Sequence, residues 1–247
     1  MPKIYLSPST QDWNPYVDGS GSEEYWMNLL ADTLEPYLYA NTISFVRNTP
    51  EMTAASSTAQ ANSLGGFDFY LALHSNASGE GQAGKNRGII VFYYPTSSDG
   101  KRAAELFAAQ LRMVYPLPAK VTTQATTTLG EVRRPRYPAN LIELGYHDNY
   151  DDARWIENNL DAAAQAIARG LTEYFGLPFI YPQLVRTGVV TTEGSALRLR
   201  SYPGIDGETV GSIPNGESVQ VYGSFQGWYS VGYDGQLGYA AQAYIAV

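Results

Sequence analysis

The first 175 residues alternate short apolar runs with longer segments whose apolar side chains recur every three or four positions. The run at residues 67–73, rich in β-forming side chains, predicts a buried strand, and the spacing within residues 25–39 predicts a helix. Strands separated by helices pack into a sheet that is covered on both faces. The order therefore predicts an α/β domain with a mostly parallel sheet flanked by helices. In such sheets, functional sites collect at the C-terminal ends of the strands.

The individual elements follow from the same periodicities. Strands are expected at residues 4–6, 44–47, 67–73, 88–94 and 140–144. Helices are expected at residues 25–39, 53–64, 99–114 and 151–175.

The pattern changes between Gly176 and Pro178, where glycine and proline indicate a linker. Farther along, short β-forming runs are separated by turn signals such as residues 214–216 and the Asp-Gly pair at residues 234–235, and no helical period remains. A small all-β barrel accounts for this second pattern. We therefore expect a first domain at residues 1–177, a linker at 178–187 and the barrel at 188–247.

Composition restricts the partners and the chemistry. The net charge of −8 argues against nucleic acid, because binding to phosphates needs a basic surface. Cysteine is absent, so any metal site has to use imidazole, carboxylate or amide donors, and the only histidines are His74 and His147. No apolar run approaches the roughly 20 residues of a membrane span, and no signal peptide is visible.

Three side chains combine reactive chemistry with a buried position in the predicted elements. His74 ends an apolar strand, Glu143 lies inside another, and Glu24 opens the first helix on its core-facing stripe. A buried carboxylate costs free energy unless it is paired or bound to a metal, so the three together predict a metal site with a base. Each also has a plain structural explanation. His74 could be a loop histidine, Glu143 could face solvent from an edge strand, and Glu24 could be a favourable charge at a helix N-terminus.

Three motifs resemble those of a known family: EYWMNL at residues 24–29, FYLALHSNA at residues 69–77 and LIELGY at residues 141–146. Together with Arg47 and Asn62, they make residues 4–175 similar to the zinc-dependent N-acetylmuramoyl-L-alanine amidases of the amidase_3 type. The resemblance implies hydrolysis of the amide between N-acetylmuramic acid and L-alanine by metal-activated water.

The resemblance also assigns roles to residues of this chain. It implies that Glu24 and His74 bind zinc and that Glu143 is the catalytic base. It further implies that Asn76 contacts the substrate.

The stretch after the first strand departs from the family pattern. The family has a metal-binding histidine there, whereas this chain reads SPSTQ at residues 7–11, with Thr10 in the histidine's place. Three explanations are open: Gln11 binds the metal through its amide oxygen, His147 replaces the missing imidazole, or the metal is lost. We favour an altered site that holds zinc through Glu24, His74 and Gln11, because the buried carboxylates persist.

The C-terminal part resembles the bacterial SH3 type of domain, starting with ALRLRS at residues 196–201. Domains of this type bind peptidoglycan. The resemblance implies that Trp228, Tyr229 and Tyr239 are exposed residues that contact the wall. Burial of Trp228 in the core of so small a barrel is the alternative.

The two resemblances imply a monomeric peptidoglycan hydrolase that acts outside the cell or on the cell wall. Release by lysis or the removal of a leader would bring it there. Two other classes stay open: a non-catalytic peptidoglycan-binding protein that has lost its metal, and a zinc peptidase of related fold. The products distinguish them, because only an amidase frees intact stem peptides that begin with L-alanine.

Overall fold

The computed structural model describes residues 1–247 and divides into two compact units. One unit consists of residues 3–34 and 45–174, and the other of residues 1–2, 35–44 and 175–247. Residues 35–44 thus group with the C-terminal part of the chain, which the predicted domain boundary at residue 177 does not foresee. None of the helices combines the length and the apolar character needed to cross a membrane.

A six-stranded sheet forms the centre of the first unit. Its strands are β1 (Lys3–Pro8), β2 (Ser44–Arg47), β3 (Phe69–Asn76), β4 (Ile89–Tyr93), β5 (Val121–Ala125) and β6 (Ala139–Tyr146). They lie in the order β2-β1-β3-β6-β4-β5. The pairs β1–β3, β3–β6 and β4–β5 are parallel, and β4–β6 is antiparallel. The prediction of a mostly parallel sheet is therefore confirmed.

Six helices accompany this sheet. They are α1 (Glu23–Ala40), α2 (Ala54–Leu64), α3 (Ser98–Arg112), α4 (Gly130–Arg133), α5 (Tyr150–Asn158) and α6 (Leu160–Phe175). The single long helix predicted at residues 151–175 is two helices, because Asn159 leaves the helical conformation with φ −133° and ψ 27°. The pattern missed α4, which is only 4 residues long, and β5, whose side chains are mostly polar and exposed.

The C-terminal unit contains a separate seven-stranded sheet. Its strands are β7 (Arg186–Val190), β8 (Leu197–Arg200), β9 (Thr209–Ile213), β10 (Ser218–Phe225), β11 (Trp228–Tyr233), β12 (Gln236–Ala241) and β13 (Ile245–Ala246). They follow the order β13-β7-β10-β11-β12-β8-β9, and their pairings are antiparallel. The predicted turn between β11 and β12 is confirmed: Asp234 and Gly235 have φ values of 48° and 73°, as a tight hairpin turn requires.

Candidate functional site

Two of the residues singled out from the sequence are neighbours in the sheet. His74 lies near the C-terminal end of β3, and Glu143 lies opposite it on the parallel strand β6. Residues in register on adjacent strands point to the same face, so the two side chains lie side by side. As expected for a mostly parallel sheet, the cluster forms at the carboxyl end of β3.

The glutamate that helix α1 brings to His74 is Glu23, not Glu24. Glu23 is buried, with its side chain 2% exposed, and its Oε1 lies 2.8 Å from Nδ1 of His74. Glu24 instead lines a shallow surface groove with Arg47. The helix explains the difference, because Glu23 precedes the fully buried Met27 by four residues and shares its face. The prediction that Glu24 belongs to the site is corrected by one position.

His74 is held between two buried carboxylates. Its Nδ1 lies 2.8 Å from Oε1 of Glu23, and its Nε2 lies 2.8 Å from Oε2 of Glu131. Burial alone would lower the pKa of His74, but the hydrogen bonds to Glu131 and Glu23 raise this pKa well above its usual value. The ring in this arrangement is an imidazolium that donates from both nitrogens.

Glu23 and His74 are joined by the amide of Gln11. Its Nε2 lies 3.4 Å from Oε1 of Glu23 and 3.4 Å from Nδ1 of His74. Asn14 fixes the group from behind, since its Nδ2 donates to Oε1 of Gln11 and to Oε2 of Glu23. No three histidine or acidic side chains converge as a metal site, so the third donor beside Glu23 and His74 would have to be an amide.

Glu143 has the environment of a general base. Its Oε2 is buried and has no hydrogen-bond partner. Burial raises the pKa of Glu143 to about 7, with the nearby charge of His74 opposing the rise and those of Glu23 and Glu131 adding to it. A carboxyl group with a pKa near neutrality can both take up and release a proton under physiological conditions.

Glu131 belongs to the site although sequence reasoning did not select it. It lies on the short helix α4, only 4% exposed, and its Oε1 accepts hydrogen bonds from Ser7 and Tyr70 at 2.6 and 2.7 Å. In the sequence, Glu131 lies in neither an apolar strand pattern nor an amphipathic helix pattern that would mark it as buried. The partners of its side-chain hydrogen bonds are all more than 50 positions away in the sequence.

The other predicted site residues lie around this cluster. His147 does not join the carboxylates: its Nδ1 lies 2.8 Å from the carbonyl oxygen of Ser75, and its ring stacks on Tyr16. Asn76 ends β3, where its Oδ1 accepts a hydrogen bond from the following backbone N–H. Thr10 lines a cavity of about 300 Å³ that Gln11, His74 and Glu131 also line, and this cavity gives access to the cluster.

The predicted exposure of two tyrosines in the C-terminal unit is wrong. Tyr239 is fully buried, and Tyr229 is 7% exposed within the apolar core formed with Val219 and Val231. Tyr239 belongs to a different apolar cluster, which it forms with Ala40 and Ile180. Trp228, in contrast, is half-buried and lines a surface groove of about 820 Å³.

Comparisons with known proteins agree with this fold. Residues 16–173 match the family described as N-acetylmuramoyl-L-alanine amidase, and residues 195–246 match the bacterial SH3 domain. No curated protein matches the sequence.

Solved structures with the same fold include two amidases. One is the N-acetylmuramoyl-L-alanine amidase AmiC2 of Nostoc punctiforme, with 17% identity and a TM-score of 0.61. The alignment covers 71% of this chain and 97% of that one. For the N-acetylmuramoyl-L-alanine amidase from Clostridium difficile 630, the identity is 18% and the TM-score 0.62, with the same coverage. Since the family match spans more than half of its residues, the chain belongs to the N-acetylmuramoyl-L-alanine amidase family and carries a bacterial SH3 domain after the amidase domain.

Proposed function

We propose that this protein cleaves the amide bond between N-acetylmuramic acid and the L-alanine of the peptidoglycan stem peptide, using a bound zinc ion and Glu143 as the base. The observation that carries the proposal is the buried, unpartnered Oε2 of Glu143 beside His74 in a chain of the amidase family. A buried carboxyl group left without a hydrogen bond costs free energy, and this cost is explained if the group has to act on a substrate or water.

Two side chains beside Glu143 are of types that bind zinc, the imidazole of His74 and the carboxylate of Glu23, and we take the amide of Gln11 as the third donor. Nδ1 of His74, Oε1 of Glu23 and the amide of Gln11 are separated from one another by 2.8, 3.4 and 3.4 Å. Ligands of tetrahedral zinc, at bond lengths of about 2.0–2.2 Å, are spaced by roughly 3.3 Å. The two distances to Gln11 are close to this spacing, whereas the 2.8 Å between His74 and Glu23 is a hydrogen bond that zinc would replace and lengthen. Three buried carboxyl groups surround His74, which is the single positive group among them. This excess of acidic groups favours the binding of a cation at the site.

Gln11 needs one adjustment to serve as a ligand. Its Nε2 faces Glu23 and His74, while its Oε1 accepts from Asn14. Rotation of the amide about its last torsion exchanges the oxygen and the nitrogen without moving the side chain. Glu23, His74 and Gln11 would then hold the ion, and zinc bound there supplies Lewis acidity toward a carbonyl oxygen and a water molecule.

The residues of the chain divide the remaining work. Glu143 takes a proton from the attacking water and passes it to the nitrogen of the leaving L-alanine. Its pKa of about 7 suits both halves of this transfer. Asn14 holds Glu23 in place, because its Nδ2 donates to Oε2 of Glu23 and leaves Oε1 free for the ion.

The neighbouring glutamates of α1 provide a matched test of the metal site. We expect wild type to bind about one zinc ion, to release stem peptides that begin with L-alanine from purified peptidoglycan, and to lose activity in EDTA. Glu23→Gln should lose both metal and activity, because it removes an anionic ligand. Glu24→Gln, which changes a residue outside the site, should retain both.

Metal content by elemental analysis and peptide products by mass spectrometry check these expectations. Equal zinc content in the two variants would contradict the assignment of Glu23. Wall binding without any released peptide would identify a non-catalytic binding protein, and peptides cut within the stem would identify a peptidase.

The C-terminal unit offers a surface for retention on the wall. Its groove of about 820 Å³ combines the aromatic Trp228 and Tyr244 with the cationic Arg198 and Arg200. The guanidinium of Arg200 lies 5.9 Å from the centre of the Trp228 ring, so an apolar and a cationic contact are available at the same place. We propose that this groove binds a peptide part of peptidoglycan.

Replacing Trp228 by alanine should weaken binding to purified peptidoglycan by about tenfold or more, because a central aromatic residue often dominates an interface. Tyr202→Ala is the control, since Tyr202 is 45% exposed but lies outside the groove. Co-sedimentation with purified walls measures the binding, and hydrolysis of soluble muropeptides should stay unchanged in both variants. A similar loss in the two variants would show that the groove is not the binding surface.

A further inference from the structure

The cavity that gives access to the carboxylate cluster is lined by more than the residues of that cluster. His74 and Glu131 form part of its lining. The rest includes Trp13, Asn48 and residues 53–55, where helix α2 begins. A volume of about 300 Å³ is at the lower end of the range found for pockets that bind small molecules. The part of the lining outside the cluster is therefore available to bind a neighbouring group of the substrate.

Asn48 contributes an unused acceptor to this lining. The residue is buried, with 5% exposure. Its Nδ2 lies 3.3, 3.0 and 3.0 Å from Oγ of Ser7, the carbonyl oxygen of Pro8 and Oγ of Ser57, whereas its Oδ1 has no hydrogen-bond partner. A buried acceptor without a donor costs free energy. A ligand that brings a donor group into the cavity would remove this cost.

The start of α2 contributes unused donors. The first N–H groups of a helix have no partner within the helix. Here Oγ1 of Thr53 accepts from the N–H of Ser56, and the carbonyl oxygen of Thr53 accepts from the N–H of Ser57. The N–H groups of Ala54 and Ala55 are left without a partner in the chain, and both residues are exposed and line the cavity. Donors and an acceptor thus border the same small space.

An aromatic ring lies beside these groups. Trp13 lines the cavity and is nevertheless 67% exposed. Its turn is fixed, since the backbone N–H of Asn14 donates to the carbonyl oxygen of Gln11 at 3.4 Å and Nδ2 of Asn14 donates to Oε2 of Glu23 at 2.8 Å. The face of an aromatic ring carries partial negative charge, which attracts the C–H groups that a sugar ring presents on its own faces. A ring held in place also loses little conformational freedom on binding.

A sugar that carries an acetamido group matches this set of contacts. The group has one N–H for Oδ1 of Asn48, one carbonyl oxygen for the N–H groups of α2 and a methyl group for the small apolar side chains around them, while the sugar ring can stack on Trp13. A carboxylate of the stem peptide matches less well. It has no donor for Asn48, and the acidic Glu131 lines the same cavity.

The chemistry of the proposed substrate brings such a group close to the bond that is cut. In N-acetylmuramic acid, the acetamido group is attached to the ring carbon next to the one that carries the arm with the scissile amide. We infer that Trp13, Asn48 and the first turn of α2 form a subsite for the acetamido group and ring of this sugar. This inference rests on the proposed function, because it concerns the sugar beside the scissile bond. The protein would then recognise the sugar as well as the peptide.

Ala54→Pro tests the donors of α2 with little disturbance of the fold. Proline removes the N–H of residue 54 and is tolerated at the first position of a helix. The preceding Thr53 has φ −115° and ψ 161°, which is the extended conformation that a following proline favours. Ala54→Ser is the control, since it keeps the N–H. Trp13→Ala removes the aromatic ring, and Tyr150→Ala removes a similarly exposed ring that does not line the cavity.

Binding is measured by calorimetry in a Glu143→Gln background, so that cleavage does not interfere. The ligands are the N-acetylmuramoyl tripeptide and an analogue with a hydroxyl group in place of the acetamido group. We expect the parent protein to prefer the acetamido ligand. A54P should bind this ligand about 3–10-fold more weakly and lose much of the preference, because one hydrogen bond is removed. W13A should bind both ligands about tenfold more weakly. The two control variants should bind like the parent.

The outcomes separate this inference from the proposed function. Equal affinity of the parent for the two ligands would overturn the subsite, and so would A54P and W13A proteins that bind like the parent. A loss in A54P of the same size for both ligands would show that the proline acts on another part of the substrate, and would also overturn it. Release of stem peptides by wild type tests the cleavage itself. The expected binding pattern without such release would refute the cleavage and leave the sugar subsite in a non-catalytic wall-binding protein.

Discussion

Replacement of His74 by alanine is expected to lower the free energy of unfolding by about 3–5 kcal/mol in the absence of metal, and to abolish zinc binding. The mutation removes the positive charge that lies between Glu23 and Glu131 while both carboxylates stay buried, at 2% and 4% side-chain exposure. An unpaired buried charge costs more than the net contribution of the intact pair, because its desolvation is no longer compensated.

The pH dependence of this loss has a defined sign. His74 has a raised pKa in the folded protein, so its stabilising effect is complete below its usual value of 6.5 and disappears as the pH rises through the raised pKa. Glu23 has a lowered pKa, so its contribution is present above its usual value of 4.5 and is lost as the pH falls through the lowered pKa. The stability difference between wild type and His74→Ala should therefore be largest between about pH 4.5 and 6.5.

The second histidine supplies the control. His147 is also buried, at 5% exposure, but its ring contacts Ser75 and Tyr16 rather than a carboxylate. His147→Ala should cost less stability and should show no maximum in that pH range. Urea denaturation in EDTA at a series of pH values measures both variants, and equal, pH-independent losses would contradict the proposed ion cluster.

The sequence was sufficient to identify His74 and Glu143 because each sits in an apolar run that a strand must bury. It was not sufficient for α1, where two adjacent glutamates precede the apolar stripe. Positions 23 and 24 differ by about 100° around the helix, and only the final packing of the buried Met27 decides which one faces the core. An error of one residue in helical phase was enough to select Glu24.

Other parts of the site depend on contacts that no local pattern contains. Glu131 reaches Ser7 and His74 across separations of 124 and 57 residues. Gln11 was the favoured one of three explanations for a missing histidine, and the structure places its amide beside Glu23. The family match begins at residue 16, so Gln11 lies outside the matched segment. Its position therefore had to come from the fold.

Similar limits apply to the C-terminal unit. The turn at Asp234 was predictable, because Asp-Gly between two β-forming runs favours a hairpin. The burial of Tyr229 and Tyr239 was not, since alternation along a strand shows which residues share a face but not which face is covered. Aromatic rings that look like wall contacts in the sequence can equally form the core of a small domain.

Replacement of Glu143 by glutamine should lower the rate of peptidoglycan hydrolysis by about 10²–10⁴-fold while the zinc content stays at the wild-type level. Glutamine has the shape of glutamate but cannot carry the proton from water to the leaving amine. Release of stem peptides at saturating substrate, measured beside metal analysis of the same sample, checks this. An active E143Q protein would exclude Glu143 as the base, and loss of zinc would indicate that Glu143 is also a ligand.

The same substitution should stabilise the metal-free protein in alkaline solution. The folded protein raises the pKa of Glu143 from 4.5 to about 7, so folding favours the protonated group and is opposed when the group must ionise. The penalty is absent below about pH 4.5, grows up to pH 7 and is constant above it. At pH 8, the free energy of unfolding of E143Q should therefore exceed that of wild type by about 1–3 kcal/mol. Near pH 4, this difference should vanish. A stability difference of the same size at both pH values would show that the glutamine changes packing instead. The predicted pH dependence would mean that the ionised base destabilises the native fold, which is expected of a group kept for catalysis.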